Sequence, residues 1–224
     1  ALPGAYLFRG DNALTSLTLG GDSLVALPLN LFLPIPTTFV SLHGATGDAG
    51  GGGGDGSCAA AKGTLAIRSH VDICDPSLLA VEALLEVVEE VKPYIDLQLV
   101  AFPQDGFYRD PKAEELLVRA LDKGVHVVGG IPHFERSMED GSRSVTALCE
   151  LAAERGLMVD MHCDESDDPL SRHVEMLARE TTRLGLQGQV AGSHLTSMHS
   201  MDNYYVSKLI PLMVEAELNV IANP

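Results

Sequence analysis

The stretch Leu157-Met158-Val159-Asp160-Met161-His162-Cys163-Asp164-Glu165-Ser166-Asp167-Asp168 decides how the rest of the chain is read. Its apolar start, Leu157 to Met161, has the make-up of a buried strand, and the run stops at a histidine followed by acidic residues. His162 offers a neutral ring nitrogen that can hold a metal. Glu165, three residues on, offers a carboxylate that can move a proton. A second apolar run, Gln189-Val190-Ala191-Gly192-Ser193, also ends at a histidine, His194. Either histidine alone reads as a core residue bonded to a backbone carbonyl. Their matched placement at two strand ends points to a shared site.

Outward from this stretch, strand-like runs begin near Leu65, Ile95, Val125, Leu157, Gln189 and Asn219, about thirty residues apart. Helical patterns lie between them. Pro76 to Val91 sets Leu78, Val81, Leu84, Leu85 and Val88 on one face, and Lys112 to Lys123 does the same with Leu116, Leu117, Ala120 and Leu121. Val145 to Arg155 stops at Gly156, and Leu170 to Leu184 stops at Gly185. Asn203 to Glu217 is the last, with Pro211 expected to kink or split it. This alternation predicts βαβ units and a parallel sheet, as an open doubly wound sheet or part of a (β/α)8 barrel. No glycine-rich dinucleotide turn follows any strand, which disfavours the first. The fold expected is α/β, an incomplete TIM-type (β/α)8 barrel of about six βα units over residues 63–224.

Residues 1–62 read differently. They hold β-prone runs such as Ser23 to Leu27, then five consecutive glycines, Gly50 to Gly54. Nothing there offsets the backbone entropy of ordering glycine, so a flexible linker is expected. A phosphate-binding loop needs Gly-Lys-Ser/Thr opening a helix, whereas Lys62 is followed by Gly63.

A net charge of −16 argues against a nucleic-acid partner, because phosphates would be repelled. The four cysteines, Cys58, Cys74, Cys149 and Cys163, are far apart with no CxxC pair, which fits reduced thiols and a cytoplasmic location. Cys163 could be a soft metal ligand, but it fits better as a small buried residue facing away from His162. The longest apolar stretch, Ser23 to Val40, is interrupted by Pro28, Asn30, Pro34 and Pro36, so no membrane span is expected. Ala1 opens the chain without a basic n-region, so no signal peptide is expected either.

The polar residues after successive strands form a set: His70 and Asp72, Gln104 and Asp105, His133 and Glu135, His162 and Glu165, His194, and Asn223. A barrel gathers such ends around one mouth. A divalent metal there lowers the pKa of bound water toward neutrality and so supplies hydroxide. His162 is the best single ligand, and His194 could bind the metal or hydrogen-bond the hydroxide. Glu165 could carry a proton from water to a leaving nitrogen, and Gln104 has the donor and acceptor to read an amide or pyrimidine edge. Such a set fits hydrolysis of a C–N bond at an sp² carbon. Two imidazoles are few for a catalytic metal site. His199 is a further candidate but reads as a loop residue, while His126 and His173 read as structural or solvated.

These motifs resemble the cytosine deaminase branch of the amidohydrolase superfamily. The resemblance is carried by Arg68-Ser69-His70-Val71-Asp72, Val100-Ala101-Phe102-Pro103-Gln104 and Gly130-Ile131-Pro132-His133-Phe134-Glu135. It continues through His162-Cys163-Asp164-Glu165, Ser193-His194-Leu195-Thr196-Ser197-Met198-His199-Ser200 and Ala222-Asn223-Pro224. It implies a barrel hydrolase with one divalent metal ion, iron or zinc. His162 resembles the ligand on barrel strand five and Glu165 the proton shuttle. His194 resembles the histidine that polarises hydroxide or binds a second metal, and Gln104 the pyrimidine contact. No lysine stands at the fourth strand end, so the resemblance implies a mononuclear centre. The family's first-strand His-x-His and eighth-strand Asp have no counterpart between Ala1 and Pro224, so the chain is expected to be a fragment or a degenerate relative.

The reading is a metal-dependent deaminase for a cytosine-like pyrimidine or related small N-heterocycle. The rival is a catalytically impaired or non-enzymatic barrel remnant. Exposed strand edges predict a homo-oligomer as a further possibility.

Overall fold

The computed structural model describes residues 29–32 and 64–222. The glycine-rich linker, the Ser23–Leu27 run, Cys58 and Asn223 lie outside the described residues. Seven strands form one sheet in chain order: β1 (Leu29–Phe32), β2 (Ala66–Asp72), β3 (Asp96–Phe102), β4 (Val127–Gly130), β5 (Met158–Cys163), β6 (Val190–His194) and β7 (Asn219–Ile221). β1 pairs antiparallel with β2, and every later pairing is parallel. The six parallel strands curl into half a barrel. Each expected strand is present, within a few residues of the expected start.

Five helices alternate with the parallel strands: α1 (Leu79–Val91), α2 (Ala113–Asp122), α3 (Met138–Arg155), α4 (His173–Leu184) and α5 (Asn203–Glu215). Gly156 and Gly185, at φ 65° and 71°, end α3 and α4 as the sequence predicts, since a left-handed residue carries no steric penalty at glycine. Two starts differ. α3 begins at Met138, well before Val145, because the Ser137 side chain accepts the Asp140 N–H and caps the helix. Its first turns bury Gly141 and Ser144, small residues that an apolar-period search passes over. α1 begins only at Leu79, because Leu78 sits at φ 52°. Pro211 does not split α5. Its missing N–H strands only the Ser207 carbonyl, which lies on an exposed turn open to water.

Strand alternation sorts the side chains into two layers. Ile67 and Val71 of β2, Leu97, Leu99 and Ala101 of β3, Val128 of β4, and Val159, Met161 and Cys163 of β5 face the helices and join one apolar core. The intervening residues line the inner face. On β2 and β5 these are Arg68, His70, Asp160 and His162, all polar within apolar strands.

Candidate active site

Low on the inner face, Asp160 is wholly buried and accepts from Arg68 Nη1 at 2.9 Å and Ser193 Oγ at 3.0 Å, with His70 Nε2 3.5 Å away. Burial by itself would raise this carboxyl, but His70 and Arg68 outweigh it and hold Asp160 well below the usual carboxylate range. Arg68 also donates to Gln98 Oε1 from Nε and Nη2, at 3.1 and 2.9 Å. The inner face thus has an ionic floor joining β2, β3, β5 and β6.

Above it, four rings pack in tilted and edge-on contacts toward the mouth. The His162 ring centroid is 4.5 Å from both His70 and Phe102 and 4.6 Å from His194. Burial and the neighbouring imidazoles lower His162 well below an ordinary histidine, and the same causes bring His194 down to about 4. Both are therefore neutral at pH 7, the form in which imidazole binds a metal. The His162 carbonyl accepts from His133 Nδ1 at 3.0 Å, so His133 braces the end of β5. His194 reaches the mouth through its backbone: at φ 74° it leaves the strand, and Leu195 at φ 50° turns back into the core.

Glu165 completes the cluster. One donor atom each from His162, Glu165 and His194 lie within 4.8 Å of one another, and Glu165 Oε2 is 3.6 Å from His194 Nε2. Partial burial raises the Glu165 carboxyl above its ordinary value. Read from the sequence, this carboxylate has only a proton-transfer role, yet the geometry also brings it within reach as a third donor beside the two imidazoles. Two neutral nitrogens and a carboxylate suit a divalent cation of the iron or zinc type.

The other residues singled out from the sequence lie outside this donor cluster. Gln104 stands two residues beyond β3, half-buried, with its N–H bonded to the Phe102 carbonyl at 3.0 Å. Cys163 faces the apolar core, away from His162, and burial holds its thiol far above the ordinary value. His199 lies exposed in the 3-10 turn Thr196–Ser200. His126 accepts the Leu99 N–H at Nδ1, 3.0 Å away, and His173 is buried against Asp164; both are structural. What the residue survey missed is Asp160 with Arg68. The signal was present, because a carboxylate two places before His162 in a buried strand must share its face.

A profile of the Amidohydrolase family matches residues 59–224. The chain belongs to that family. Among solved structures, this amidohydrolase chain is similar to 5-methylcytosine deaminase from Klebsiella pneumoniae liganded with 5-fluorocytosine, at TM-score 0.72 and 46% identity, over 74% of this chain and 40% of that one. N-isopropylammelide isopropyl amidohydrolase of Pseudomonas sp. (strain ADP) is 34% identical over 71% of this chain and 40% of its own length. Pterin deaminase of Rhizobium rhizogenes is 30% identical over 73% of this chain and 37% of its own. The chain thus spans about two fifths of the length of these relatives. With this likeness, the curled sheet is part of a TIM-type barrel.

Proposed function

We propose that the protein is a metal-dependent hydrolase that removes an exocyclic amine from a cytosine-like pyrimidine or a related N-heterocycle. The observation that carries this reading is the convergence of His162, Glu165 and His194 within 4.8 Å at the mouth of the half-barrel. The likeness to a 5-methylcytosine deaminase supports the choice of ring.

His162 would hold the cation, and His194 would either join it or hydrogen-bond the attacking water. A bound iron or zinc ion supplies an activated water at neutral pH. Glu165 takes the proton released on attack and delivers it to the departing nitrogen, a task suited to a carboxyl whose affinity for protons burial has raised. Gln104, at the same end of the sheet, is the residue for the ring's amide edge. His133 keeps the His162 end of β5 from drifting through its bond to the backbone carbonyl. The substrate is a small heterocycle, and the reduced cysteines suit the cytoplasm. Homo-oligomerisation is part of the same proposal, motivated by exposed Tyr204, Ile210, Val214 and Val220.

The test is ammonia release from cytosine and 5-methylcytosine by the complete protein, purified with its metal content measured. Stoichiometric metal without ammonia release from either ring sinks the substrate assignment. No retained metal after reconstitution with iron or zinc favours the non-catalytic remnant instead.

A further inference from the structure

The alternation of a strand should send Glu165 the wrong way. Along β5, Val159, Met161 and Cys163 face the helix layer, while Asp160 and His162 face the barrel interior. Continued extension would point Asp164 inward with His162 and turn Glu165 outward among the helices. The structure has the reverse. Asp164 follows Cys163 into the outer layer, and Glu165 reaches the mouth beside His162 and His194. The inversion occurs at Asp164, whose φ is 52° in the left-handed region.

The Asp164 side chain holds that turn. It is completely buried, and its Oδ1 accepts from Ser171 Oγ at 2.7 Å, the His173 N–H at 3.0 Å and His173 Nδ1 at 2.8 Å. Its Oδ2 accepts the Val174 N–H at 2.8 Å. His173 and Val174 are the first residues of α4, and Arg172 before them gives the helix no side-chain cap. Asp164 therefore caps α4 from another element, with its negative charge at the positive end of the helix. The Asp164 carbonyl accepts the Ser197 N–H at 3.0 Å, while Ser197 Oγ donates to the Ser171 carbonyl at 2.8 Å. Leu195 N–H donates to the Cys163 carbonyl at 3.1 Å. One buried carboxylate thus links the end of β5, the start of α4 and the turn that follows His194.

We propose that Asp164 is the positioning residue that aims Glu165 at the reacting centre, by fixing a left-handed turn between the metal-binding histidine and the proton carrier. It touches no substrate and acts through Glu165. This inference rests on the proton-transfer role given to Glu165 above, but its geometric half stands apart from any activity.

Two variants of the complete protein test it. Asp164→Gly accepts the left-handed turn without strain but removes every anchor. Asp164→Asn keeps the turn and the Oδ1 contacts, while its amide group meets the Val174 N–H, so one anchor is lost. For cytosine deamination, kcat should fall about 100-fold in D164G and about 10-fold in D164N, with KM within about two-fold, because misplacing a reacting group by an ångström has that scale of effect. Parent and variants are assayed with iron or zinc at saturation, so that kcat is compared at equal metal content. Crystal structures should show Glu165 Oε2 moved away from its 3.6 Å approach to His194 Nε2 in D164G, and less so in D164N. A folded D164G with Glu165 in place and undiminished kcat overturns the inference. Should D164G fail to fold, D164N decides: unchanged kcat with an unmoved Glu165 also overturns it. If the unaltered protein releases no ammonia, the functional reading above fails separately, and the Glu165–His194 separation in the variant structures still settles this one.

Discussion

Glu165 and Asp160 are carboxylates five residues apart on one inner surface, yet their surroundings assign them opposite work. Glu165 is partly open to water with its proton affinity raised, while Asp160 is sealed beneath the imidazoles and held ionised by Arg68 and His70. Replacing Glu165 by Gln keeps size and polarity but removes the proposed proton carrier, so kcat should fall about 10²- to 10⁴-fold with the thermal midpoint of the metal-free protein unchanged. An E165Q enzyme retaining a tenth of the parent rate would remove Glu165 from proton transfer. Asp160 calls for a stability measurement. Arg68→Met leaves its carboxylate buried with weaker compensation, and about 3 kcal/mol should be lost in urea unfolding. The double change R68M with Asp160→Asn should recover most of that loss, since no uncompensated charge remains. Additive losses in the cycle would show that the two side chains act independently.

At the scale of elements, the strand-to-helix rhythm was readable because each parallel strand is buried on both faces and each helix carries an apolar stripe. The convergence of His162, Glu165 and His194 was only half readable. Strand-end position placed all three near the mouth, but left-handed residues at 164, 194 and 195 break the alternation that would tell where each side chain points. Neither Asp nor Leu announces such a turn as Gly does. The early start of α3 was hidden for a related reason. Gly141 is there because a Cβ would stand 2.1 Å from His173 Nε2 and 2.5 Å from the Pro132 carbonyl oxygen. Gly141→Ala, favourable by helix propensity alone, should therefore destabilise by about 2 kcal/mol, read as a lowered urea midpoint at constant m-value. An increase in stability would mean that α3 can shift freely against α4.

His126 gives the strand layer a pH response. Burial lowers its pKa, and its Nδ1 accepts the Leu99 N–H, which a protonated ring cannot do. The folded-state value lies below that of the unfolded chain, so the unfolded state takes up the proton first. This contribution to stability is present above about pH 6.5 and is lost as pH falls below it. His126→Asn offers a non-titrating acceptor, so its thermal midpoint should fall less steeply between pH 7.5 and 5.5 than the parent's. Parallel slopes would leave His126 without a share in the acid response.

For the molecule as a whole, the proposed donor cluster would couple metal binding to folding, because His162, Glu165 and His194 come from two strands and a turn that are neighbours only in the native state. Iron or zinc at a hundredfold excess over its Kd should stabilise the protein by about 2.7 kcal/mol, and chelation should reverse the shift. A thermal midpoint indifferent to chelator would detach the cluster from metal binding.

The two-sided strand β5 also limits how this lineage can drift in length. A single codon gained or lost between Met158 and Cys163 would exchange lining for backing, driving Asp160 and His162 into the oily layer and Val159 and Met161 into the cavity. The exposed segment from Asp167 to Leu170 has no such parity to keep. Insertions are tolerable there on packing grounds, while the rungs of β5 must stay fixed in number.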